Sequence, residues 1–362
     1  MFNTVPLIEV MRGSRLEVVY RGAIAVVNAR GELVASAGDP NLTTFLRSSA
    51  KPFQLLPLVE SGGADRLGFS DRELAVMAAS HNGEQFHVQA VLGILNRLGL
   101  DPSALQCGVH PPSYAPAARA LEEAGQTPNA LHNNCSGKHS GMLAQCLDRK
   151  LPIESYLDPQ HPVQITIKQG LAELAGVSPD SMGLATDGCS VPTFAIPLAA
   201  TALAFARLAD PAQFGQPRRS ALDRIAAAMM TCPEMVGGTR RLDTEVMRAG
   251  KGRVVVKGGA EGYYGLGLLS LGLGVALKLE DGDAGRGRNA VVVEVLRQLG
   301  VLDDEGLAAL GRYAAGPSKN HRELTVGQVR PCFQLTRSRM QPNIKQLTIT
   351  ETFDLDRKEV TE

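Results

Sequence analysis

Hydrophobic and polar positions divide the chain into three zones. Near the start, alternating and β-branched stretches predict strands over roughly 16–20, 22–28 and 32–37, with Arg30-Gly31 turning the chain between the last two. Late in the chain three more strands are predicted, over roughly 253–258, 262–269 and 273–280. The first of these, Arg253-Val254-Val255-Val256-Lys257, closes on Gly258-Gly259, and Asp281-Gly282-Asp283 marks the turn after the third. Between the two strand zones the spacing predicts helices over 50–60, 72–79, 84–98, 115–124, 137–149, 162–175, 193–208 and 218–231. Segment 84–98 is typical: Phe86, Val88, Val91, Leu92, Leu95 and Leu98 fall on one helical face. Two further helices follow near 287–300 and 304–314. Strands at both ends with helices between them predict one sheet built from two distant segments, with a helical region inserted beside it. That is an α+β layout, and the cleft between sheet and helices is the natural place for a site.

Composition narrows the function. Lys plus Arg number 37, as do Asp plus Glu, so the formal charge is zero and no field exists to hold a nucleic-acid backbone. Aromatic residues make up only 4%, without Trp, which argues against a carbohydrate cleft or a base-stacking surface. The two longest apolar stretches, near 194–206 and 263–279, are interrupted by Pro197 and by Gly265, Gly267, Gly272 and Gly274, so no membrane span is expected. The start, MFNTVPLIEVMRG, has no basic segment leading into a long apolar run, and a cytoplasmic location is expected. Cysteines at 107, 135, 146, 189, 232 and 332 are then expected to be reduced thiols.

Three short motifs can carry chemistry. Ser48-Ser49-Ala50-Lys51 places an amine one helical turn from a hydroxyl, and a hydroxyl needs a base to become a nucleophile. A helix cap followed by a surface lysine would look the same. Ser80-His81-Asn82 offers a hydroxyl and an amide between two helices; an ordinary turn does so too. Lys257-Gly258-Gly259 ends a strand, where the glycines let a ligand lie close and the amine faces the cleft, unless it is a solvated strand end. Each has a bland reading alone. In this order and these contexts they resemble the Ser-x-x-Lys, Ser-x-Asn and Lys-x-Gly series of the serine β-lactamase and penicillin-binding protein superfamily.

Two further clusters lie outside that series: Asn133 to Gly141, containing Cys135, Lys138 and His139, and Asp187-Gly188-Cys189-Ser190-Val191-Pro192. Two cysteines suit a soft divalent ion such as zinc, whose other ligands would be a His, an Asp, a water or a neutral Lys; two buried thiols in a polar loop is the competing reading. Arg47 is a candidate for a substrate carboxylate, Asp187 for a substrate amine, and His139 for orienting a substrate carboxylate or an adjacent base. Gly237-Gly238-Thr239 superficially matches threonine-nucleophile enzymes, but no corresponding catalytic loop accompanies it.

Five stretches together resemble the asparaginase II family, the Rhizobium etli type of L-asparaginase. They are residues 47–54 (Arg47 to Gln54), 79–84 (Ala79 to Glu84), 132–139 (His132 to His139), 187–192 (Asp187 to Pro192) and 257–262 (Lys257 to Gly262). The likeness covers about residues 5–332. It implies hydrolysis of L-asparagine to L-aspartate and ammonia by a homodimer with a serine β-lactamase-like fold, its antiparallel sheet drawn from about 5–45 and 250–332 and its helical region from about 46–249. It implies Ser48 as nucleophile beside Lys51, Ser80 and Lys257 as a second Ser–Lys pair, and zinc held by Cys135, Lys138 and Cys189. Residues 333–362 are expected to form a C-terminal extension to which no role is assigned. Competing readings are a serine-dependent glutaminase or a β-lactam or peptide hydrolase on the same scaffold, or a non-catalytic zinc or redox module.

Overall fold

A computed structural model describes residues 3–338. Its strands are β1 (Val5–Arg12), β2 (Arg15–Asn28), β3 (Leu33–Ala37), β4 (Thr43–Phe45), β5 (Gly183–Thr186), β6 (Pro192–Pro197), β7 (Val254–Gly258), β8 (Tyr263–Leu268), β9 (Leu273–Leu279), β10 (Gly316–Lys319), β11 (Thr325–Pro331) and β12 (Thr336–Arg337). The main sheet runs β10-β11-β1-β2-β9-β8-β7, with β3 on β2 and β12 on β3. Every pairing in it is antiparallel. The α+β architecture is therefore the expected one: a sheet from both chain ends with helices between.

The joint between the two ends is β2 against β9, in register from Gly22↔Leu279 to Asn28↔Leu273. β7, β8 and β9 are buried along their whole length because helices cover both faces of the sheet there. The helix Leu198–Ala209 lies against β2, β8 and β9, while Arg286–Gln298 packs on β1, β8, β9 and β11. The first helix sits very close to the sheet. A Cβ at Gly274 would fall 1.8 Å from the carbonyl oxygen of Ala202, and at Gly265 2.0 Å from the Phe205 ring, so only glycine admits this approach.

The structure departs from the expected elements where one signal hides another. Residues 16–20 and 22–28 are parts of one long strand, β2, whose second half is buried while its first half is largely exposed. The apolar run predicted as a helix over 193–208 begins as strand β6 and becomes a helix only at Leu198, after Pro197. Here β-branched and aromatic residues joined a helical pattern without a polar break. The helix predicted over 304–314 stops at Ala309. Strands β1, β10 and β11 and the helix Leu242–Gly250 add to the predicted set. A second small sheet, β4-β6-β5, braces the helical region. Residues 333–338 continue the fold, Phe333 being buried and β12 pairing with β3; residues 339–362, including the alternating stretch at 345–362, lie outside the described residues. Among the described residues, no helix is long and apolar enough to cross a membrane, and all six cysteines are free thiols.

Candidate active site

Ser48 sits in a 3-10 turn, Arg47–Ala50, that leads straight into the buried helix Lys51–Glu60, whose first residue is Lys51. Side chains three apart eclipse on such a turn, so hydroxyl and amine lie on one side. The turn is anchored at both flanks. Leu46 N–H donates to Phe194 O of β6 (3.0 Å), and the Ser49 hydroxyl donates to Lys257 O of β7 (2.8 Å). Gly259 permits the second contact, since a Cβ there would stand 2.7 Å from Leu46 O.

Lys51 is 1% exposed. Its Nζ lies 2.5 Å from Ala79 O, 2.9 Å from Ser80 Oγ and 3.5 Å from Asn134 O. Burial pulls this amine below the usual lysine range; the Cys135 thiolate opposes that pull and the Lys138 ammonium adds to it. Ser80 is thus bonded to Lys51. The expected partner of Ser80, Lys257, is engaged elsewhere: its Nζ donates to Gly258 O (2.7 Å) and lies 3.6 Å from Asp243 Oδ1. The Lys257 amine is brought down to about 7, chiefly by burial, with Asp243 opposing and Lys51 and Arg241 adding. The Asp243 carboxylate also accepts the Gly258 N–H at 2.6 Å. A loop between helices holds Ser80 in place, its N–H donating to Val236 O and that of Asn82 to Gly237 O (both 3.0 Å).

Ser48, Ser80 and Asn134 line a cavity of about 380 Å³ together with Asp243, Gly258, Gly259 and Ala260. The same lining includes Arg240, Arg241, Arg288 and Tyr313. None of these four, nor Asp243, stood out in the sequence. The dense Arg240-Arg241 pair after Gly237-Gly238-Thr239 is the signal that could have drawn attention there. Two lining or flanking residues hold left-handed backbone, Arg47 at φ 51° and Arg240 at φ 58°. Non-glycine residues pay strain for this, and such strain collects at functional sites.

The cysteine cluster assembles beneath the hydroxyls. Cys135 caps the helix Ser136–Asp148, Lys138 sits in its first turn, and Cys189 arrives from the loop between β5 and β6. All three are at least nine-tenths buried, and Lys138 Nζ donates to Cys189 Sγ at 2.8 Å. An ammonium at a helix N-terminus opposes the helix dipole, so a buried anion must accompany it. Cys135 provides that anion: the Cys189 thiol donates to it, and Lys51 and Lys138 face it, which together hold it well below the usual thiol range. Two sulfurs and one amine form a donor set that suits zinc. Among the described residues, no three His, Cys, Asp or Glu side chains gather to hold a metal, so a tetrahedral ion here would need one ligand from solution.

The proposed substrate binders are placed differently from one another. Arg47 Nε donates to Asp187 Oδ1 at 2.6 Å, so the two are each other's partners. His139 is fully buried, with Nδ1 2.6 Å from the Tyr156 hydroxyl. Its Nε2 has no partner among the described residues. Burial keeps the imidazole neutral by depressing its pKa well below the ordinary range, with Lys138 and Lys51 adding to that.

Comparison with known proteins gives the chain its family. The L-asparaginase II family model matches residues 8–331, and the chain belongs to that family. Comparison with the curated proteins finds no match. Among solved structures, native Mglu in 4.3 M NaCl is 14% identical, covering 76% of this chain and 60% of its own, with a TM-score of 0.42. This chain thus spans about 60% of the length of that Mglu chain. A β-lactamase from Mycobacterium bovis is 15% identical over 76% of this chain and 94% of its own, with a TM-score of 0.40. A Bacillus glutaminase is 12% identical over 78% and 91%, with a TM-score of 0.37.

Proposed function

We propose that the chain hydrolyses L-asparagine to L-aspartate and ammonia, with Ser48 as nucleophile. The observation that carries this reading is the desolvated Lys51 amine bonded to the Ser80 hydroxyl beside Ser48 in one cavity. A neutral Lys51 donates to Ala79 O and Asn134 O and keeps its lone pair for a hydroxyl proton. Ser48 Oγ attacks the side-chain carbonyl carbon, and its proton passes to Lys51. Lys51 returns that proton through Ser80 to the amide nitrogen, the C–N bond breaks, and ammonia leaves an ester on Ser48. Water then attacks the ester, gives its proton by the same path, and releases aspartate with Ser48 restored. The neighbouring Lys257 keeps Lys51 deprotonated by charge repulsion while it is itself protonated.

Ammonia release from L-asparagine and L-glutamine, measured beside nitrocefin cleavage, tests the substrate. Faster turnover of asparagine supports the reading. Preferential turnover of glutamine or nitrocefin replaces it with a glutaminase or a β-lactam hydrolase. The homodimer, which the family likeness implies, belongs to the same proposal, as does a cytoplasmic setting.

The pH profile carries a second expectation. Asp243 stabilises the charged form of Lys257, so removing its charge lowers the amine's pKa further. With a protonated Lys257 required, kcat/KM falls as pH rises through about 7 in the wild type. Asp243→Asn moves that fall to lower pH. A limb that stays put, or moves up, in a pH–rate series on the two proteins removes Lys257 from the titration.

Zinc is the cofactor proposed, held by Cys135, Cys189 and a deprotonated Lys138. When bound, it would supply a fixed positive charge beside the cavity. Lys138 is held protonated by Cys135 and Cys189 against the pull of burial, so metal binding must displace a proton and weakens as pH falls. Metal analysis is expected to give roughly one zinc per chain for the wild type, and little for Cys135→Ser. A wild type that stays zinc-free after incubation with the ion counts against the cofactor.

A further inference from the structure

The lining of the cavity includes three guanidinium groups, Arg240, Arg241 and Arg288, and none has an ion-pair partner among the described residues. The carboxylate in the same lining, Asp243, lies 3.6 Å from Lys257 and acts on Arg241 and Arg288 only from beyond ion-pair distance. Arg288 is 9% exposed. Two of its nitrogens donate, Nη1 to Gly259 O at 3.2 Å and Nη2 to Asn289 Oδ1 at 3.3 Å, while its face covers the Tyr264 ring. Its Nε is buried without any partner, and so is the Tyr313 hydroxyl. A buried unpaired charge and orphaned donors are costly, and the cost is removed when an anion arrives. The cavity, at about 380 Å³, lies in the range of roughly 300–1,000 Å³ typical of ligand sites.

From this geometry we infer that Arg288, with Arg241 and Tyr313, forms the subsite for the α-carboxylate of the amino-acid substrate. This rests on the amide-hydrolase reading above and assigns to Arg288 a role that the sequence suggested for Arg47. Arg47 is neutralised by Asp187 and is not among the cavity-lining residues. A guanidinium whose Nε is free presents the fork that a carboxylate matches. Ser48 and Ser80 line the same cavity. The span from this subsite to Ser48 then sets how far the reacting amide sits from the acid group, which is the difference between asparagine and glutamine.

Calorimetric titration with L-aspartate, and with its α-amide as the control lacking the α-carboxylate, tests the subsite. The wild type is expected to bind L-aspartate and to bind the α-amide at least about tenfold more weakly. Arg288→Gln is expected to weaken L-aspartate binding by about ten- to a hundredfold, Arg288→Lys by less, and Arg47→Gln least. In turnover, Arg288→Gln raises KM more than it lowers kcat. Tyr313→Phe weakens binding about threefold and serves if the Arg288 variants do not fold. Equal binding of the acid and its α-amide, undiminished aspartate binding in Arg288→Gln or in Tyr313→Phe, no aspartate binding by the wild type, or a larger loss in Arg47→Gln each overturns the inference. Aspartate binding through Arg288 without hydrolysis of asparagine sinks the proposed activity and leaves the subsite standing. Hydrolysis with an unchanged KM in Arg288→Gln does the reverse.

Discussion

Replacing Lys51 by methionine is expected to cut asparagine turnover by about 10³–10⁴, the upper range for loss of a general base, and to leave the fold intact. Two effects of one side chain separate here. In the proposed mechanism the amine is the proton acceptor, so kcat falls. The same amine is a polar group held almost wholly out of water, and burial already depresses its pKa. Exchanging it for an apolar side chain of similar length relieves that desolvation while abandoning the bonds to Ala79 and Ser80. The melting temperature is therefore expected to stay level or rise. Ammonia release and thermal melts on the same preparation check both halves. Retained activity would remove Lys51 from the mechanism. Lost activity together with a collapsed melting temperature would make it a structural residue.

Ser48→Ala is expected to cost more still, about 10⁴–10⁶ in kcat, because the nucleophile itself is gone. Ser80→Ala should cost about 10²–10⁴, since it removes only a proton relay. The two are otherwise alike, each a hydroxyl lining the same cavity. Only Ser80 is hydrogen-bonded to the amine; among the described residues Ser48 Oγ makes no hydrogen bond and is open to the cavity. Mass spectrometry of a rapidly quenched reaction should find an aspartyl adduct on the peptide containing Ser48 in the wild type and in Ser80→Ala. An adduct on Ser80, or the opposite order of rates, would exchange the two roles.

Most of this architecture was legible in the chain because its signals are local. The helix over 162–175 has both expected bounds, helped by Pro162 at its start and Gly176 in a left-handed cap. Strands over 253–258 and 273–280 were visible from β-branched runs closed by glycine and aspartate. The strand–helix junction at Pro197 was not, since β6 and the helix after it form one apolar run and only tertiary pairing with β4 and β5 divides them. The site followed the same rule. Ser48, Lys51, Ser80 and Lys257 stand in short motifs, and three of them face or border one cavity. Which amine serves which hydroxyl depends on distances across 29 and 14 residues of sequence, as in Lys51–Ser80 and Lys257–Asp243, and no pattern encodes those. Arg288 and Tyr313 were invisible for a like reason: an arginine on a helix looks like a surface charge until its nitrogens are found buried.

The joining of β2 to β9 has a kinetic consequence. The cavity gathers lining residues from Ser48 to Tyr313, and Ser49 reaches across 208 residues to β7. Closing a loop of that size must precede any reward from the contacts it makes, and chains of high contact order fold slowly for this reason. A ribosome-bound chain lacking residues beyond 253 can form many of its helices, yet it has neither Lys257 nor the strand that carries it. Catalytic competence is therefore a property of the finished molecule, acquired late and all at once rather than accumulated during synthesis.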